Sequence, residues 1–377
     1  MKAETRLSLS EAFSVIPDPR VRGRSKHDLV EMLVVAVCAV LCGADGFVEI
    51  ELWGRERLDW LRRFLKLTHG IASHDTFGRL FGLLDGKAVE RSFRHWVASL
   101  LPSLDEESIV AIDGKSTRRS AAHGSKPLHL VSALSTQFGI VLGQEATAEK
   151  SNEITAIPLL LDTLMIQGAI VTIDAMGTHS HIAQCIQDRQ AHYVLAVKGN
   201  QPKLAQAIQE FFHTAQEAAW KNVAYDVFET VEKGHGRIES RRYFAFSHLD
   251  SLPAPQRWPG LSMFGVVVSE RIVRGKISRE QRLYIGSIAA DAKLFARAVR
   301  SHWDIENRLH WCLDVCLNDD QARARVKNAA RNLATVRRIV LNLFRLDNSR
   351  KGGIKARRML ASTSDDYRAH LLGLSNV

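Results

Sequence analysis

The chain has 377 residues, 46% hydrophobic and 24% charged, with a formal net charge of +10. This is typical of a soluble globular protein of two or three structural units and favours a polyanionic partner. Its five cysteines, an odd number in a long chain, exclude a disulfide framework and favour the reducing cytoplasm. The longest apolar run, residues 32–44, is shorter than the roughly twenty residues that cross a bilayer, so we expect a buried helix and no membrane span.

The first 105 residues predict a helical domain. Four apolar-periodic segments, separated by glycines, follow one another at residues 27–42, 48–65, 73–84 and 87–100. Ser73 begins the third segment with a side chain suited to cap a helix N-terminus. The pattern is equally compatible with a domain that binds nucleic acid and with a unit that only packs against the rest of the protein.

After Pro102 the pattern changes to short apolar strands that alternate with helices. Strands are predicted at residues 108–114, 129–135, 138–147, 169–174 and 192–197, and helices at 152–165, 178–189 and 202–213. The first three strands have short connections, which suit antiparallel pairing, and the helix-linked strands suit parallel pairing. We therefore predict an α/β domain with a mixed five-stranded sheet flanked by helices, compatible with the RNase H fold.

A β-rich insertion and a final helical segment complete the predicted organisation. Strands are predicted at residues 225–231, 237–246, 263–270 and 282–287, and helices from 291 to about 346. The predicted units are a helical domain at 1–105, the α/β domain at 106–222 and 289–346, the insertion at 223–288 and a basic C-terminal tail at 347–377.

Two predicted strands end in an aspartate, Asp113 and Asp174. A carboxylate at a strand end projects from a rigid frame to where a metal can reach it. If the first and fourth strands lie side by side, both carboxylates converge on one place, where Mg2+ prefers oxygen ligands and substrate phosphate. Either aspartate alone is more often a turn residue, since Asp-Gly is a common turn dipeptide.

A third acid is expected in the segment of residues 301–315. In a helix, Glu306 shares a face with His302 and Leu313, whereas Asp304 lies on a different face and is expected to be solvated. Trp303 and Trp311 are eight residues apart and would share a helix face, so core packing is favoured over base stacking.

Four motifs together resemble a known family. They are Ala-Ile-Asp113-Gly-Lys-Ser, Val-Thr-Ile-Asp174-Ala-Met-Gly, Val-Lys198-Gly-Asn-Gln and His-Trp-Asp-Ile-Glu306-Asn. The set resembles the DDE transposases of bacterial insertion sequences, in the subgroup that includes the H-repeat-associated proteins, from about residue 10 to 346. The resemblance implies that Asp113, Asp174 and Glu306 are the catalytic and metal-binding triad of an RNase H-like core.

The implied reaction is hydrolysis of a phosphodiester and transfer of the freed 3′ hydroxyl to a target strand. We expect Mg2+ as the cofactor, in two ions, with Mn2+ able to substitute. The expected partner is double-stranded DNA, both the terminal repeats of the element and the target. Because two ends must be joined, a homodimer on DNA is expected. The sequence has no P-loop, so ATP is not implied. The expected location is the cytoplasm, at the nucleoid when DNA is bound.

The chain departs from many insertion-sequence relatives around the glutamate. Those relatives have Tyr and Arg seven and four residues before it and Lys seven after it, where this chain has Val299, His302 and Leu313. A protonated His302 could donate to a phosphate in place of the Arg, although an ordinary pKa near 6.5 makes it a weaker cation. Two alternatives therefore stay open: a catalytically inactive, transposase-derived DNA-binding protein, and an RNase H-like nuclease without strand transfer.

Basic residues near the motifs are candidate phosphate contacts, each with a solvated polar loop or strand as its alternative. Residues 321–358 hold twelve Lys or Arg against one acid, which predicts a nucleic-acid surface. In the insertion, at least one residue among His235, Arg237, Arg241 and Arg242 is expected to bind DNA. The DNA-binding candidates are Lys115, Arg118, Arg119, Lys198, Arg237, Arg241, His302, Arg323 and Arg325.

Overall fold

The computed structural model describes residues 6–21, 23–121, 126–147, 152–234 and 236–374. Among these residues, no helix is both long and apolar enough to cross a membrane. The N-terminal helices are α1 (Leu9–Ser14), α2 (Leu29–Leu41), α3 (Phe47–Glu56), α4 (Leu58–Leu61), α5 (His74–Leu83) and α6 (Gly86–Ala98). As the sequence predicts, the Ser73 side chain caps α5, where it accepts a hydrogen bond from the Thr76 backbone N–H.

The strands form one mixed sheet of nine. Their bounds are β1 (Ile109–Thr117), β2 (Leu128–Ser135), β3 (Ile140–Ala146), β4 (Ile170–Ile173), β5 (His192–Val197), β6 (Tyr225–Gly234), β7 (Arg237–Phe246), β8 (Met263–Val273) and β9 (Lys276–Gly286). The spatial order is β3-β2-β1-β4-β5-β9-β8-β7-β6. Between them run α7 (Glu153–Leu161), α8 (Ser180–Gln187) and α9 (Pro202–Glu217).

The prediction of a mixed sheet flanked by helices is confirmed, but the prediction of five strands is wrong. The strands of the expected insertion do not form a separate sheet, because β9 pairs antiparallel with β5, with Val194 opposite Gly286 and Val197 opposite Leu283. The free edge of β5 has backbone groups that need partners, and β9 supplies them. Single-strand patterns cannot reveal this pairing.

The first strand is longer than predicted, and this changes the position of Asp113. The parallel pairing of β1 with β4 ends at Ile112 opposite Ile173, whereas the antiparallel pairing with β2 continues to Thr117 opposite Leu128. Asp113 therefore lies within β1 but just past the end of its contact with β4. The Asp-Gly dipeptide is part of a strand here and not a turn.

After the sheet, the chain forms α10 (Ala292–His302), a π-helix (Ile305–His310), α11 (Trp311–Leu317), α12 (Ala329–Leu346), α13 (Ile354–Thr363) and α14 (Asp365–Leu371). The helix α12 packs against α2, α5 and α6, so the N-terminal helices and the last helices share one apolar core. The segment predicted as a basic tail thus contains two helices, with Tyr367 buried at 3% exposure. The reason is that its apolar residues complete this core.

The basic stretch of residues 321–358 is not one surface, contrary to the prediction. Half of its cations point into the protein: Arg331 pairs with Glu90, Arg337 with Asp319, Arg357 with Asp347 and Arg358 with Asp45. The buried members also include Arg338, and Arg345 is half-buried. The exposed members are Arg323, Arg325, Lys327, Arg350, Lys351 and Lys355.

Candidate active site

Asp113 and Asp174 lie next to each other on neighbouring parallel strands. Each is the residue that follows the last paired positions, Ile112 and Ile173, so the two carboxylates leave the sheet at the same level. Asp174 also begins the turn after β4, where its Oδ1 accepts the Met176 and Gly177 backbone N–H groups at 3.0 and 3.2 Å. These bonds fix the direction of the carboxylate.

Glu306 approaches the aspartates from the π-helix between α10 and α11. This wide-turn geometry is rare and is often found at functional sites. His310 lies at the end of the same π-helix, with its Nδ1 3.4 Å from Glu306 Oε2 and 3.6 Å from Asp113 Oδ2. Asp113, Asp174 and Glu306 all line one cavity of about 590 Å³. The three acids that the sequence predicts thus face one cavity, and the close group of ligand atoms there comprises Asp113, Glu306 and His310, without Asp174.

Burial and the repulsion of neighbouring carboxylates make the ionised forms of Asp113 and Asp174 unfavourable. The pKa of Asp113 is raised to about 8, by burial first and then by the negative charges of Glu306, Asp174 and Glu153. Burial also raises the pKa of Asp174, with the charge of Glu153 adding to it. The proximity of His310 is the main cause that lowers the pKa of Glu306. A bound cation would relieve this repulsion.

The residues present suit a divalent metal ion. One ligand atom each from Asp113, Glu306 and His310 lies within 4.8 Å of the others. Carboxylate oxygens are the ligands that Mg2+ prefers, and imidazole suits transition ions. Sequence reasoning missed His310, although a histidine four residues after a glutamate on one helix is a recognisable metal-site spacing.

His302 is placed differently from the expected role. Its Nδ1 lies 3.0 Å from the hydroxyl of Thr172, and burial lowers its pKa to about 4. The ring is therefore neutral at physiological pH, and an ionic contact between a protonated His302 and a phosphate is disfavoured in this arrangement.

The two tryptophans near Glu306 are exposed, contrary to the prediction that they pack in the core. Trp303 is 45% exposed and Trp311 is 57% exposed. The α-helix ends at His302 and is followed by the π-helix, so a spacing of eight residues does not place both rings on a core-facing side. Trp303 lines the cavity with the acids, and the Arg282 guanidinium lies over its ring, 5.3 Å from the centroid.

The basic candidates in and just after the end of β1 contact acidic residues of the protein. Lys115 is 9% exposed, and its Nζ lies 2.8 Å from Asp314 Oδ1 and 3.0 Å from Asp320 Oδ1. Arg118 is exposed, with its Nε 3.3 Å from Asp320 Oδ2. The exposed Arg119 is adjacent, and its carbonyl accepts a hydrogen bond from Arg325 Nε at 3.3 Å. The lysine charge is thus already balanced, whereas the arginines face solvent.

The other basic candidates are spread over the surface. Lys198 is exposed and lines the cavity that contains the acids. Arg323 is exposed near Arg325. Arg241 is paired with Glu232 at 3.1 Å, and Arg237 lies at the turn end of the β6–β7 hairpin. Neither insertion arginine is among the described residues that line the cavity. His235 lies outside the described residues.

A group next to Asp113 also escaped the sequence reasoning. His129 Nε2 lies 2.7 Å from Glu153 Oε1, and its Nδ1 lies 2.8 Å from the Ser116 hydroxyl. Glu153 and His129 occupy the space where a side chain at Gly114 would be, so this position needs glycine. A fourth carboxylate therefore lies beside the acids, and the first turn of a helix after β3 gave only a weak signal for it.

Comparisons with known proteins identify the family of this chain. Residues 104–343 match the family described as "Transposase DDE domain", and residues 10–97 match the family described as "DDE_Tnp_1-associated". The protein named "Putative transposase YncI" of Escherichia coli O157:H7 is 42% identical over 371 residues, which cover 96% of this chain and 93% of that protein. The "H repeat-associated putative transposase YhhI" of Escherichia coli strain K12 is 37% identical over 376 residues, 98% of each chain.

The family match spans more than half of the chain, and the relatives align over nearly its whole length. The expected resemblance is confirmed, including the subgroup of H-repeat-associated proteins. The chain belongs to the DDE transposases and is an insertion-sequence transposase that acts on DNA.

Proposed function

We propose that Asp113, Asp174 and Glu306 are the catalytic triad and that they hold Mg2+, with Mn2+ able to substitute, in a two-ion centre on an RNase H-like core. The main observation in support is that Asp113 and Asp174 follow directly on paired strands and line the same cavity as Glu306. When bound, such ions activate the attacking oxygen and stabilise the leaving oxygen of an in-line phosphoryl displacement. The strand order β3-β2-β1-β4-β5 supports the RNase H-like assignment.

The protein itself contributes positioning and charge. The backbone N–H bonds of Asp174 and the π-helix that carries Glu306 hold the acids on rigid elements, which catalytic groups need. Lys198, exposed at the cavity, is our candidate for contact with a DNA phosphate there. Because His302 is neutral, Lys198 and Arg282 are better suited than His302 to replace the arginine and lysine that many relatives have.

Outside the cavity, we assign the grip on the DNA backbone to exposed cations. Arg118, Arg119, Arg323 and Arg325 face solvent close to the chain that follows β1. Contacts of this kind fix the position of a duplex without reading its sequence. Lys115, Arg118 and Arg241 lie against the carboxylates described above, and Arg237 Nε lies 3.9 Å from Glu239 Oε2. Each of these four needs to exchange its acidic partner for a phosphate before it can take part.

The proposed reaction frees a 3′ hydroxyl at each element end and joins it to a target strand. The joining of two ends to one target requires two active sites, and we therefore propose a homodimer assembled on DNA. Since its substrate is chromosomal DNA, the protein is expected to act at the nucleoid.

The test is cleavage and joining of a DNA fragment that carries the element's own terminal repeats. We expect Asp113→Asn, Asp174→Asn and Glu306→Gln to bind this fragment in a gel-shift assay but to lower cleavage in Mg2+ or Mn2+ at least a thousandfold. Asp304→Asn is the matched control, because Asp304 is two residues from Glu306 and pairs with Arg308 at 3.5 Å instead of facing the aspartates. It should retain cleavage.

Three outcomes would contradict the proposal. Unchanged cleavage by the Asp174→Asn variant would show that Asp174 is not part of a catalytic triad. Cleavage by the wild type without any joined product would indicate a nuclease. Binding without cleavage in either metal would indicate an inactive DNA-binding protein.

A further inference from the structure

We propose that His310 is a protein ligand of the same divalent cation, binding through Nδ1 beside Asp113 and Glu306, so that the centre has a nitrogen ligand as well as oxygen ligands. This inference rests on the proposed function, because it needs the two carboxylates to hold a cation. It adds His310 to the residues that hold the ion. It also predicts that the site favours Mn2+ over Mg2+ more than a site of carboxylates alone would.

The separations around His310 fit a shared cation better than a hydrogen bond. Its Nδ1 lies 3.6 Å from Asp113 Oδ2 and 3.4 Å from Glu306 Oε2. An N–H···O hydrogen bond normally measures about 2.7–3.2 Å between the heavy atoms. Neighbouring ligands of an octahedral ion with bonds of about 2.1 Å lie about 3.0 Å apart, the bond length times the square root of two. Both measured separations are longer than a hydrogen bond and close to the separation at which two ligand atoms can bind one cation.

The burial of His310 limits the interactions that its ring can make. The residue is only 6% exposed, and its Nε2 is enclosed without a hydrogen-bond partner among the described residues. With Nε2 unpaired, Nδ1 is the nitrogen through which this buried ring can be engaged. The Nδ1 faces two carboxylates, and a cation between them would engage it.

The nearby His302 serves as an internal comparison. Its Nδ1 is engaged by the Thr172 hydroxyl at 3.0 Å, so this ring bonds within the protein. His302 lies at the end of α10, whereas His310 ends the π-helix that begins at Ile305. Of the two histidines near Glu306, only His310 directs a nitrogen at both carboxylates.

The ligand set has a consequence for the choice of metal. Oxygen ligands suit both Mg2+ and Mn2+, and imidazole is most typical of the later transition ions. Of the two ions, the transition ion Mn2+ accepts a nitrogen ligand more readily than the hard Mg2+ does. A nitrogen ligand should therefore contribute more to the binding of Mn2+ than to that of Mg2+. If His310 only oriented Glu306 by a hydrogen bond, its removal would affect both ions alike, and a glutamine donor would restore the effect.

The experiment is pulsed electron paramagnetic resonance of the full-length protein loaded with Mn2+, without DNA. Directly bound imidazole gives a 14N modulation of the Mn2+ signal. We expect this modulation in the wild type and its loss in His310→Gln, which keeps a side-chain N–H donor. Calorimetric titration should show Mn2+ binding weakened about tenfold and Mg2+ binding weakened less than threefold. His310→Phe, which keeps a ring in the core, checks the result if the glutamine variant folds poorly.

Two histidine variants are the matched controls. His302→Gln tests the other ring near Glu306. His192→Gln tests a ring at the start of β5 whose Nδ1 lies 2.9 Å from the Ser287 carbonyl oxygen. Both should retain the modulation. The inference is overturned if the wild type binds Mn2+ without the modulation, if the modulation persists in both His310 variants, or if it is lost in His302→Gln.

Failure of this inference can be told from failure of the proposed function. If Asp113→Asn and Glu306→Gln abolish Mn2+ binding while the His310 variants bind as the wild type does, the carboxylate site stands and His310 is not a ligand. If Asp113→Asn and Glu306→Gln leave Mn2+ binding unchanged, the acids do not hold the ion, and both proposals fall.

Discussion

The ion pair of Arg337 with Asp319 offers a quantitative test of how this protein uses its arginines. The two side chains are 1% and 0% exposed, with Arg337 Nη1 3.1 Å from Asp319 Oδ1. Arg337 also donates from Nη2 to the Asp45 carbonyl oxygen at 2.9 Å. Arg337→Met leaves a buried carboxylate without its cation, and removal of one partner of such a pair costs about 3–5 kcal/mol. We expect that loss in the free energy of unfolding.

The double variant distinguishes two charges that depend on each other from two that act independently. Asp319→Leu alone leaves the buried guanidinium of Arg337 without its carboxylate and should also cost about 3–5 kcal/mol. If the two substitutions acted independently, the double variant would lose about 6–10 kcal/mol. The combined Asp319→Leu, Arg337→Met variant removes both charges and should cost no more than either single change, because neither member of the pair is left without its partner. The assay is urea unfolding followed by tryptophan fluorescence, with linear extrapolation to zero denaturant.

An exposed ion pair is the control for this series. Arg279 Nε lies 2.8 Å from Glu270 Oε2, but the arginine side chain is 74% exposed. Arg279→Met should change the free energy of unfolding by less than about 1 kcal/mol. Additive losses in the double variant, or a loss below about 1 kcal/mol for Arg337→Met, would refute the view that these buried charges depend on each other.

Three further perturbations have defined outcomes. Burial alone would raise the pKa of Asp347, but the hydrogen bonds around it, among them that of the Tyr367 hydroxyl at 2.7 Å, lower it to about 2. Its contribution of about 2 kcal/mol is thus present above pH 4 and lost as the pH falls toward 2, and acid titration of Asp347→Asn should lack this step. Gly265→Ala places a Cβ 2.5 Å from the buried Phe295 ring and should cost about 1–3 kcal/mol in urea unfolding. Lys198→Ala should weaken DNA binding and reduce the slope of log affinity against log salt by about one.

Each of these three predictions has a control or an outcome that would contradict it. Lys221→Ala removes an exposed lysine that is not among the described residues lining the cavity, and the salt slope should then change little. A wild-type stability that stays constant between pH 4 and 2 would contradict the role of Asp347. A Gly265→Ala protein as stable as the wild type would show that the Phe295 ring moves aside freely.

Local patterns in the sequence predicted most elements because these depend on neighbouring residues. Strands that are buried on both faces read as apolar or nearly apolar runs, as at Ile109–Ile112 and, apart from Thr172, at Ile170–Ile173, and an aspartate follows each run. The same reasoning could not give the length of β1, because its extension to Thr117 depends on its pairing with β2. Nor could it give the joining of β9 to β5, which is a contact between distant segments.

The basic residues show the limit of reading charge from a sequence. Charge counts predicted a nucleic-acid surface over residues 321–358, yet Arg337 and Arg338 are buried and Arg331 pairs with Glu90 and Glu145. An arginine contributes the same charge to the total whether it faces solvent or an acid. Only the position of the opposite charges in space distinguishes a surface that attracts DNA from a network that holds helices together.

The sequence by itself determined the family and the alternation of strands and helices, and it singled out Asp113, Asp174 and Glu306 as the acids of the proposed triad, because motif residues and apolar periodicity are local properties. Only the tertiary structure decided that the sheet has nine strands, that Trp303 faces the cavity, and that His310 directs a nitrogen at Asp113 and Glu306. Those features depend on which distant segments pack together, and packing is set by the whole chain at once.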